Sequence, residues 1–68
     1  MNEESLNLSI RKFLKVVGVK SQHQIELAVS KALANGKLSG KKSLPVTMHL
    51  RITGVDLDVR FEDTIELE

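Results

Sequence analysis

The side chain best suited to acid–base chemistry in this sequence is His49. It lies in a stretch, Leu44 to Ile52, where apolar and polar residues alternate, which places it on the polar face of a predicted strand. A histidine beside a carboxylate can act as a base or a metal ligand. The turn that follows decides its neighbour. A two-residue turn at Thr53-Gly54 sets Asp58 opposite His49, whereas a four-residue loop from Thr53 to Asp56 sets Arg60 there. No second histidine, cysteine or nucleophile joins the group, so a solvated surface histidine is expected. Asp56-Leu57-Asp58 resembles the opening of a calcium loop, but that pattern needs further oxygen ligands, a Gly and then a Glu at fixed spacing. The next alternate residue is Arg60, a repelling cation. An ion pair across the strands with Arg51 is expected instead, and no metal.

His23 falls in the first turn of a predicted helix, where the dipole disfavours its charged form, and nothing nearby completes a site. Ser9, Ser21, Ser30, Ser39 and Ser43 include no nucleophile elbow, and neither a phosphate loop nor a dinucleotide fingerprint occurs. No catalytic residue, cofactor or metal is assigned, and the chain is not expected to be an enzyme.

Nucleic-acid chemistry is the serious alternative. Val17-Gly18-Val19-Lys20-Ser21 has the form of a helix-turn-helix corner, and the next helix begins with Gln22, His23 and Gln24, residues that can reach base edges. Lys37, Lys41 and Lys42 can hold phosphates, and a following β-hairpin can act as a wing. The candidate contacts are therefore Gln22, His23, Lys37, Lys41 and Lys42. Against this, the net charge is only +1, the two aromatics fall at core positions, and the third helix usual in such a fold is missing.

The elements behind these residues are legible from periodicity. Leu6, Ile10, Phe13, Leu14 and Val17 form one helical stripe, with Asn2 as N-cap and Glu3 and Glu4 in the first turn. Gly18 reads as its stop. Ser21-Gln22-His23-Gln24 fits a capping box, after which Ile25, Ala28, Val29, Ala32 and Leu33 repeat the stripe until Asn35-Gly36. Helices are thus predicted over about 3–17 and 22–35. The period then changes to two. Leu44, Val46, Met48, Leu50 and Ile52, then Val55, Leu57, Val59 and Phe61, mark strands over about 44–53 and 56–67. Asp63-Thr64 is a candidate bulge. Both turn lengths keep all apolar residues on one face, and the residue preferences of the tight turn favour the longer loop.

The expected architecture is an α+β single domain over 1–68, two helices packed on an antiparallel hairpin in the order ααββ. The sequence has 68 residues and no cysteine, so disulfides cannot supplement a core this small. A partner chain is the expected supplement: a homodimer that extends the hairpin to a four-stranded sheet. Leu8 and Leu27 lie off the helical stripes and suggest a further buried surface. The acidic start, Met1-Asn2-Glu3-Glu4, is unlike a secretory signal, and no apolar run approaches the ~20 residues that span a bilayer. A cytoplasmic location without membrane contact is expected.

The stretches Ser9-Ile10-Arg11-Lys12-Phe13-Leu14-Lys15, Val17-Gly18-Val19, Ser21-Gln22, Ile25-Glu26, Ala28-Val29, Gly36-Lys37-Leu38 and Ile65-Glu66-Leu67 together resemble a family of short bacterial (proteobacterial) proteins of unknown function. The resemblance implies a stand-alone bacterial protein and supplies no activity, cofactor or site residue. The function expected from the residues is a non-catalytic binding or interaction module.

Overall fold

The computed structural model describes residues 1–68, which divide into two units, Met1–Leu38 and Ser39–Glu68. The first unit is built on one helix, α1, running without interruption from Glu3 to Ala34. At its start the Asn2 side chain accepts a hydrogen bond from the Ser5 amide at 3.1 Å, with Glu3 and Glu4 in the first turn, as expected for an N-cap. At its end the Gly36 amide donates to Leu33 O at 3.1 Å and the Lys37 amide to Ala32 O at 2.9 Å, with Gly36 at φ 72°. That is the Schellman closure, and glycine fits the left-handed residue it requires.

The two predicted helices are therefore one. Gly18 does not stop the helix and Ser21 does not start one. Two physical reasons account for this. First, a glycine within a helix costs only about 1 kcal/mol, whereas a break exposes four amides and four carbonyls that need new partners. Second, the two stripes overlap. At ~100° per residue, Leu6, Ile10, Phe13, Leu14 and Val17 share a sector roughly 120° wide with Ile25, Ala28 and Ala32, and Val29 and Leu33 extend it on one side to about 200°. A single helix thus carries one broad apolar side, and no corner is needed to make the stripes meet.

The second unit is a hairpin. Strand β1 (Ser43–Ile52) pairs antiparallel with β2 (Leu57–Glu66), in a two-stranded sheet. Ile52 lies opposite Leu57, Leu50 opposite Val59 and Leu44 opposite Ile65. The four-residue loop is thus the one formed. Thr53–Val55 make a 3-10 turn and Asp56 closes it in the left-handed conformation at φ 54°. Aspartate tolerates that conformation better than most residues. The turn depends on Asp56 and not on Gly54, whose φ is not in the left-handed range. Pairing continues through Val46–Asp63 and Pro45–Thr64, so the expected bulge at 63–64 is absent. Parity places Leu44, Val46, Met48, Leu50 and Ile52 on one face with Leu57, Val59, Phe61 and Ile65.

No residue is buried. Phe13 and Phe61, expected at core positions, are 55% and 59% exposed. Taken by itself, each unit is a single layer, with no second layer of its own to cover its apolar residues. No third or fourth strand joins the sheet, so the four-stranded arrangement is not a feature of this chain alone.

Candidate functional site

The polar face of the hairpin gathers the charged groups. Because the loop has four residues, the residue directly across from His49 is Arg60. The His49 side chain nevertheless reaches diagonally to the next residue of its face, and Nε2 lies 2.5 Å from Asp58 Oδ1. Diagonal neighbours on one face of an antiparallel pair stand within reach of a long side chain. Asp58 also faces Arg51, whose Nε is 3.8 Å from Oδ2. The expected ion pair with Arg51 is formed by Asp58, and His49 joins it. Beside this trio an open depression of about 330 Å³ is lined by Arg51, Ile52, Thr53, Asp56, Leu57 and Asp58.

The geometry limits what this trio can do. A carboxylate that orients a histidine is half of a nucleophilic triad, but no nucleophile approaches the imidazole's other nitrogen. The side chains of His49 and Asp58 are 38% and 62% exposed, so water is not excluded and charges interact weakly. No three acidic, histidine or cysteine side chains converge as a metal ligand set would. The trio is a solvated cross-strand cluster that adds little to a register fixed by parity and the loop.

The nucleic-acid residues are divided between the two units. Gln22 and His23 lie in the interior of α1, far from the helix N-terminus that would present them to a groove. Lys37 follows the helix in the first unit, while Lys41 and Lys42 precede β1 in the second. Without the corner at Val17–Ser21 the helix-turn-helix reading loses its motif.

Two features add to the sequence reading. Read on a single wheel, Val16 and Val19 join the off-stripe Leu8 and Leu27, all four within roughly 100° of one another. All four are at least half exposed, and Val16 and Val19 line a depression with Lys15 and Lys20. The second is Asp63, which parity sets on the apolar face of the hairpin and whose Oδ1 accepts from the Thr64 amide at 2.7 Å. No helix is long and apolar enough to cross a membrane.

No curated protein and no solved structure matches the chain. A family-wide sequence profile does match, over residues 1–68, and it is described as a family of unknown function, DUF6494. An α-helix followed by an antiparallel hairpin, with His49, Arg51 and Asp58 paired across its strands, is the structure of a member of that family, to which this chain belongs.

Proposed function

We propose that the chain is a non-catalytic interaction module of the cytoplasm, whose apolar faces are completed by another protein chain. The observation that carries this is that each unit, taken by itself, is a single layer whose apolar residues have no second layer to cover them. Isolated surface leucines are ordinary, but contiguous apolar faces on every element are the mark of an interaction surface.

The test is a dilution series on the full chain, followed by thermal unfolding and binding of a dye specific for exposed apolar surface. The reading expects dye binding and a broad transition at low concentration, and loss of both when a partner chain is supplied. A dilute monomer that unfolds cooperatively without binding dye overturns it.

A further inference from the structure

Resting on that reading, we infer that the partner is a second copy of this chain, paired antiparallel along the outer edge of β2 about a two-fold axis at Phe61.

The two edges of the hairpin are not equivalent. The Leu67 amide donates to Lys42 O at 2.8 Å, which makes the 42/67 pair a hydrogen-bonded one. Such pairs recur at every second position of an antiparallel ladder. The even residues of β1 and odd residues of β2 therefore bond inward. The odd residues of β1 and even residues of β2 point their amides and carbonyls outward. Pro45 lies in the outward set of β1, opposite Thr64, so that edge lacks a donor near its start. The other outward residues of β1 include His49 and Arg51, so registers centred on that end of the edge set basic groups against each other, and registers centred on its start meet Pro45. The edge of β2 carries a backbone N–H at each outward residue, Asp58, Arg60, Glu62, Thr64 and Glu66; the Thr64 amide is held by Asp63 Oδ1 and must exchange that bond on pairing, while the others, at the centre of the edge, are open.

Charge then selects a register. The ion pairs within the hairpin use His49, Arg51 and Asp58, and leave Arg60 and Glu62 unpaired. Setting Phe61 against Phe61 of the second copy places Arg60 of each chain opposite Glu62 of the other. It joins outward amides to outward carbonyls and overlaps nearly the whole of β2. A shift of two residues one way sets Arg60 against Arg60, and the other way sets Glu62 against Glu62; both are repulsive. In the chosen register the two phenylalanines, each 59% exposed, meet as neighbours on the apolar face. The interface is self-complementary and closed, so it stops at two chains.

Light scattering after size exclusion on the full chain tests this. The wild type is expected at twice 7.6 kDa. Arg60→Glu alone and Glu62→Arg alone each set like charges opposite one another twice, and should raise the dimer dissociation constant about tenfold or more. Mixing these two variants, or combining both changes in one chain, should restore the dimer. Glu62→Pro, which removes an outward donor of β2, should abolish it. Thr47→Pro, at the directly opposite position on the β1 edge, should not. If the single charge variants dimerise as tightly as wild type, or mixing restores nothing, the β2 interface is wrong while an interaction module remains. If the wild type is a poorly folded monomer, the second copy is wrong and the module still stands. A cooperatively folded monomer overturns both.

Discussion

The helix unit and the hairpin unit solve the same problem by opposite means. In α1 every backbone bond is local, and the 32-residue run needs only a cap at each end. In the hairpin no element exists without its partner, and specificity comes from register: parity and the loop from Thr53 to Asp56. Both end with an apolar face and no core. Regular secondary structure satisfies the backbone, but only a second layer can satisfy the side chains.

The contrast predicts different sensitivities. The largest effect is expected from Ser21→Pro. If α1 is continuous, proline at this interior position removes a ladder bond, clashes with the preceding turn and costs about 3 kcal/mol or more. Circular dichroism should show helical signal lost on both sides of the substitution. Were Ser21 instead the cap of a helix beginning at Gln22, proline there would break no ladder bond and would cost only the cap, about 1 kcal/mol. In the hairpin, Asp56→Val should cost about 1–2 kcal/mol, because a β-branched residue resists the left-handed conformation, whereas Asp56→Gly should be neutral or stabilising. Denaturant unfolding of the two variants separates these outcomes.

Gly18→Ala sharpens the comparison further. A Cβ at Gly18 meets nothing within 4 Å and the residue's φ is not left-handed. The substitution should therefore stabilise the helix by about 0.5–1 kcal/mol, read as a higher unfolding midpoint. A glycine that turned a corner would give the opposite sign. The smallest effect is expected for Arg51→Ala. Its pair with Asp58 is exposed and worth a few tenths of a kcal/mol, and the loss should shrink further in high salt.

The same contrast explains what the sequence disclosed. The hairpin was legible because period two is strict and a slip by one residue would turn every apolar side chain outward. Turn chemistry picked the longer loop, although the residue that bends the chain is Asp56 and not the glycine. The diagonal bond from His49 to Asp58 was not legible, because register fixes opposite residues and leaves side chains free to lean. In the helical half, Asn2, Asn35 and Gly36 were read for what they are. Gly18 and Ser21 mislead, because no apolar stripe residue falls between Val17 and Ile25 and a glycine followed by a capping box imitates a stop and a start. The expected core was misplaced for a different reason. Periodicity identifies which residues want burial, not which chain buries them.

The most direct test of that last point is the thermal midpoint of the full chain across about a hundredfold range of concentration. If folding is completed by a second copy, mass action requires the midpoint to rise steadily with concentration. A midpoint that stays constant over the range, with a 7.6 kDa species throughout, would contradict it.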